Sequence, residues 1–183
     1  MNNPQTKTAN QVLDEVYSGN PTQDFIDPYR IARYYNIQII EEKSLSDEII
    51  GEITCDEDVV KIKLNPLNTQ YEPRKNFTIA HELGHYFMHF ENSCREFIDN
   101  KKTMNRTASF WDRKESEAND FAANLLMPVS LILTNSKHII DEYKKENGSN
   151  HMPENEFIDQ LSRTLKVSRE SLTFRLKNIG VIK

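Results

Sequence analysis

Five consecutive residues, His81-Glu82-Leu83-Gly84-His85, set two imidazoles four positions apart around a carboxylate. On an α-helix that spacing leaves the histidines about 40° apart in azimuth and one turn apart along the axis, so both can reach one metal ion. Glu82 is rotated by about 100° from His81 and points beside the ion, where a base can take a proton from an activated water. The chemistry served by such a set is hydrolysis. The plain alternative is a chance register of surface residues. It fails on the neighbourhood, because Phe77, Ala80, Leu83, Gly84, Phe87, Met88 and Phe90 surround the helical cylinder on nearly every side. In such surroundings unpartnered imidazoles and a carboxylate would each cost roughly a few kcal/mol of desolvation, and a metal supplies the partner.

Hydrolytic zinc sites take three protein ligands and leave one position open, so a third ligand must come from elsewhere. His89, Glu115 and Glu117 are the candidates. His89 lies about 12 Å along the helix from His81 at roughly 1.5 Å per residue, too far to share one ion, and reads as a packed or partly exposed histidine. Glu115 and Glu117 open a helix whose apolar stripe is Ala118, Phe121, Ala122, Leu125 and Leu126. Glu115 falls about 50° from the centre of that stripe and Glu117 about 110°, so Glu115 is the expected ligand. Asn119, one turn later, is placed to hydrogen-bond a ligand from behind. Zn2+ is the expected metal, with Mn2+ the alternative.

The elements that must position these residues are legible from periodicity. A weak helical pattern at Val12, Leu13, Val16 and Tyr17 breaks at Ser18-Gly19-Asn20-Pro21. A short helix follows Asp27-Pro28, with Asp27 as its cap, and a strand follows at Ile37 to Ile40. Ile49 to Cys55 and Val59 to Leu64 read as a hairpin. The metal helix spans Pro73 to Phe90 and the ligand helix Trp111 to Met127, stopping at Pro128. Asp99 to Ser109 is the connector between them and a possible cover for the cleft. Three more helices are expected at about 129–145, 154–166 and 169–178. Strands first and helices afterwards give an α+β chain. Its expected parts are an N-terminal extension over residues 1–26, a body carrying the zinc site over 27–146, and a helical C-terminal subdomain over 147–183.

The chain has 183 residues, 37% hydrophobic and 28% charged, enough for one compact body with a real core. A net charge of -5 argues against binding nucleic acid by bulk electrostatics. The N-terminal residues lack the apolar run of a signal peptide and no stretch approaches a membrane span, so a cytoplasmic protein is expected. Cys55 and Cys94 lack the spacing of a metal knuckle and read as reduced thiols.

The run Arg74-Lys75-Asn76-Phe77-Thr78-Ile79-Ala80-His81-Glu82-Leu83-Gly84-His85, with the later run from Glu115 to Pro128, closely resembles the ImmA/IrrE family of metallopeptidases. The likeness covers about residues 27 to 180. It implies a small zincin-like fold in which a short antiparallel sheet packs on a buried metal helix. It also implies His81, His85 and Glu115 as zinc ligands, Glu82 as the catalytic base, and a helix-turn-helix repressor of a phage, mobile element or stress operon as substrate.

Other readings compete. The two last helices, joined through Lys166-Val167-Ser168, have the look of a DNA-reading helix-turn-helix, with Arg169, Arg175 and Lys177 on the second. Glu170 and the acidic whole favour a structural or partner-docking pair instead. A non-catalytic antirepressor or DNA-associated regulator would keep the metal for folding alone, but a structural site needs no Glu82. A small-molecule hydrolase would need specificity groups that no motif supplies. Tyr86, Arg113, His138 and Tyr143 are all able to stabilise an oxyanion, and spacing selects none of them.

Overall fold

A computed structural model describes residues 6–18, 24–56, 59–90, 97–100, 110–149 and 151–183. Among these, seven helices and four strands follow in the order α1 (Ala9–Tyr17), α2 (Pro28–Tyr34), β1 (Gln38–Glu41), β2 (Ile49–Asp56), β3 (Val59–Leu64), α3 (Glu72–His89), β4 (Phe97–Asn100), α4 (Phe110–Leu126), α5 (Val129–Asn147), α6 (Glu154–Leu165) and α7 (Arg169–Asn178). The fold is α+β and consistent with the zincin class.

The sheet order is β1-β3-β2-β4. β2 and β3 form the expected antiparallel hairpin, with Ile53 opposite Ile62. β1 adds to β3 in parallel, Ile39 opposite Ile62, because the chain reverses direction twice between them, into β2 and again into β3, so the sheet is mixed and not wholly antiparallel. β4, a four-residue strand with no periodic signal of its own, pairs antiparallel with β2, Ile53 opposite Phe97. Cys55 lies two residues beyond that pair on β2 and is disulfide-bonded, which corrects the expectation of a reduced thiol there. Cys94 lies outside the described residues, as do residues 101–109 of the connector.

α3 packs under β2 and β3, and α4 lies along α3 in the most extensive helix pairing of the described chain. From Thr78 to His85 every residue of α3 is buried, as expected for a helix apolar all round. On α4 the stripe Ala118, Phe121, Ala122, Leu125 and Leu126 is buried. α1, with a Thr8–Gln11 capping box, packs on α2 and α4, and the Lys7 amide donates to the Phe87 carbonyl of α3 at 3.3 Å.

The C-terminal helices close the other end. Lys166 adopts a left-handed conformation, φ 54°, that ends α6 and turns the chain into α7. Its carbonyl accepts from Asn76 Nδ2 at 3.3 Å, tying the turn to the metal helix. Arg169 is engaged by Asp159 and by Asn155. Arg175 donates through Nε to the Met127 carbonyl at 3.2 Å, just past the C-terminus of α4, where a cation is favoured. Two of the three cations that suggested phosphate binding thus have partners within the chain, Arg169 at the surface and Arg175 against α4.

Candidate metal centre

Consecutive turns of α3 present His81 and His85 toward α4, whose first turns supply Glu115. The two Nε2 atoms stand 3.0 Å apart. Glu115 Oε2 lies 3.2 Å from His81 Nε2, and its Oε1 lies 3.3 Å from His85 Nε2. All three side chains are buried. Donor atoms on a tetrahedral ion with bonds of about 2.0–2.1 Å are separated by roughly 3.3 Å, so the set has the spacing one ion requires. Two imidazoles and a carboxylate are also the donor chemistry of hydrolytic zinc sites. The group is therefore able to hold a metal ion.

Its electrostatics fit the same use. Burial lowers the His85 pKa to about 4 against the opposing pull of Glu115, with the neighbouring His81 adding to the fall, so the ring is neutral at pH 7. Burial pushes the Glu115 carboxyl up, but hydrogen bonds from His81 and His85 outweigh it and hold the pKa at about 2. His85 is thus neutral and Glu115 ionised, the charge states a metal site requires, and binding an ion at Nε2 of His85 leaves its ring proton on Nδ1.

Both histidines of the group are braced from behind. His81 Nδ1 lies 3.1 Å from Asn119 Oδ1, so the predicted supporting residue stands where the helix spacing put it. His85 Nδ1 lies 3.0 Å from Nδ1 of His89. His89 is packed, as expected, but it also contacts Glu117 Oε2 through Nε2 at 3.1 Å. That cross-helix pairing escaped the sequence reading. The available signal was the four-residue step from His85 to His89, the same step that joins His81 to His85.

Glu82 lies outside the ligand group, fully buried, and faces β2. A Cβ at position 51 would stand 3.4 Å from Glu82 Oε1 and 2.7 Å from Thr78 Cγ2. Gly51 therefore lets β2 lie close over Thr78, with the Glu82 carboxylate in contact range. Of the oxyanion candidates, Arg113 is held by Glu117 at 2.8 Å and His138 by Glu142 at 3.2 Å.

A cleft of about 1190 Å³ opens beside the centre, with Glu115 and Asn119 in its wall. Tyr71, Arg74 and Phe77 line it from α3 and its approach, and Phe174 and Arg175 line it from α7. Leu67, Tyr71 and Phe174 expose apolar surface there. No helix among the described residues is long and apolar enough to cross a membrane.

The family model Peptidase_M78, described as the IrrE N-terminal-like domain, matches residues 61–177. Over 124 residues, 67% of this chain and 73% of the relative, the chain is 32% identical to a protein of Bacillus phage phi105 named "Uncharacterized immunity region protein 2".

Proposed function

Because this chain belongs to the peptidase family of the IrrE N-terminal-like domain, we propose that it is a zinc-dependent endopeptidase acting on a helix-turn-helix repressor of a phage, mobile element or stress operon. The observation that carries the reading is the buried His81, His85 and Glu115 group with the buried Glu82 carboxylate one residue from its first ligand. The phage relative, named for an immunity region, supports a repressor as substrate.

In this mechanism His81, His85 and Glu115 are the ligands and Glu82 is the base. A zinc ion, when bound, supplies Lewis acidity toward a water and toward the scissile carbonyl. Glu82 takes the proton of the attacking water on its carboxylate and later delivers it to the leaving amine. Asn119 keeps the His81 ring oriented. The cleft between α3, α4 and α7 receives the substrate segment, with Tyr71 and Phe174 covering its apolar side chains. Burial of the whole group keeps bulk water from competing for the ligands.

The test is to incubate the zinc-loaded protein and its Glu82→Gln variant with a helix-turn-helix repressor encoded beside the gene. Discrete fragments from the wild type alone are expected. An intact repressor that binds both proteins equally would instead establish a non-catalytic antirepressor.

A further inference from the structure

Behind His85 a chain of contacts leads away from the metal centre to the protein surface. His85 turns Nε2 toward His81 and Glu115 and Nδ1 toward His89. His89, itself buried, turns its own Nε2 toward Glu117 Oε2, and the other oxygen of Glu117 accepts from Arg113 Nε at 2.8 Å. Glu117 is about a third exposed and Arg113 lies at the surface.

We propose that His89 and Glu117 form a positioning relay that holds His85 in the tautomer and ring orientation needed to ligate metal. The inference rests on the reading of His81, His85 and Glu115 as ligands. If His85 ligates through Nε2, its remaining ring proton sits on Nδ1 and is donated to His89 Nδ1. His89 must then accept at Nδ1 and carry its proton on Nε2, where it is donated to Glu117. An ionised carboxylate only accepts, so Glu117 selects this tautomer of His89, and His89 in turn selects that of His85. Without Glu117, a proton on His89 Nδ1 would face the proton on His85 Nδ1, donor against donor. Arg113, one turn before Glu117, keeps the carboxylate aimed. Asn119 serves His81 from the same helix, so α4 supplies one ligand and orients the other two.

The test measures Zn2+ affinity by competition with a chromophoric chelator and the visible bands of the Co2+-loaded protein. It compares the wild type with His89→Phe, His89→Gln, Glu117→Ala and the control His85→Ala. Glutamine offers both an acceptor and a donor, whereas phenylalanine keeps only the volume. His89→Phe is expected to bind Zn2+ about 10- to 100-fold more weakly with altered Co2+ bands, His89→Gln to recover most of that loss, and Glu117→Ala to lose about 10-fold. Wild-type affinity in either His89→Phe or Glu117→Ala would overturn the relay, and so would a His89→Gln protein as weak as His89→Phe. Glu117 is partly exposed, so its variant decides the matter even if His89→Phe does not fold. Zinc binding that is absent from the wild type, or unaltered in His85→Ala, would overturn the ligand assignment beneath it; binding by the wild type with unaffected relay variants would overturn the relay alone.

Discussion

Gly84 of α3 sits against Ala118 of α4 with no space for a side chain: a Cβ at position 84 would stand 3.1 Å from the Ala118 Cα and 3.1 Å from its carbonyl oxygen. Glycine inside a helix is about 1 kcal/mol worse than alanine, so the sequence accepts that cost for a close helix crossing. The crossing lies beside His85 and one turn from Glu115, so it sets the distance between the two sides of the proposed site.

Gly84→Ala should therefore destabilise the protein despite its better helix propensity. The obstacle is backbone, which can yield only by moving α4 as a whole, and overpacking of this kind costs about 1–3 kcal/mol. Zinc affinity should fall with it. Urea unfolding together with a zinc titration reads both, and an unchanged pair of values would show that the crossing is not tight.

Two glutamates should separate cleanly. Glu82→Gln is expected to keep zinc binding while lowering hydrolysis by about 10²- to 10⁴-fold, the usual contribution of a positioned base. Glu115→Ala should lose zinc binding and activity together. Zinc loss in the Glu82 variant would move that residue from base to ligand.

Stability of the metal-free protein should depend on acid. His85 titrates near pH 4 in the folded chain, against 6.5 as its ordinary value. Between those values the unfolded chain takes up a proton that the folded chain refuses, so stability is lost as pH falls through this window. The loss from this one ring is on the order of 3 kcal/mol. Glu115, held near 2 instead of 4.5, adds a loss in the same direction below pH 4.5. Urea midpoints from pH 7 to pH 4 check this, and a flat profile would contradict it.

Phe174 offers a test of the cleft. It lies on the exposed side of α7, in the cleft wall, while Leu172 and Leu176 are buried. Phe174→Ala should raise KM about tenfold and leave both kcat and zinc affinity unaltered, since binding lost equally from ground and transition states appears in KM alone. Steady-state kinetics on the cleaved repressor would show it, and an unchanged KM would place the substrate elsewhere.

Much of the centre was legible in the residues themselves because it is written at helical spacing. The four-residue step brought His81 and His85 to one face, and the phase of the stripe from Ala118 to Leu126 chose Glu115 over Glu117 for the buried side. The same phase placed Asn119 behind His81. β4 was not legible, since four residues without alternation become a strand only when β2 offers its edge. The disulfide of Cys55 was hidden for the same reason, because pairing brings together residues that sequence separation keeps apart.

The sequence by itself determined what each helix carries and on which face, because a helix repeats every 3.6 residues whatever it packs against. Only the tertiary structure decided what those faces meet. The approach of α4 at Gly84 turned Glu117 from a solvent-side carboxylate into the partner of His89, and β2 comes close to Thr78, beside Glu82, at Gly51, which has no side chain. The seating of the α6–α7 turn on Asn76 placed α7 as a wall of the cleft. These relations depend on distances between elements, which packing sets and local periodicity does not encode.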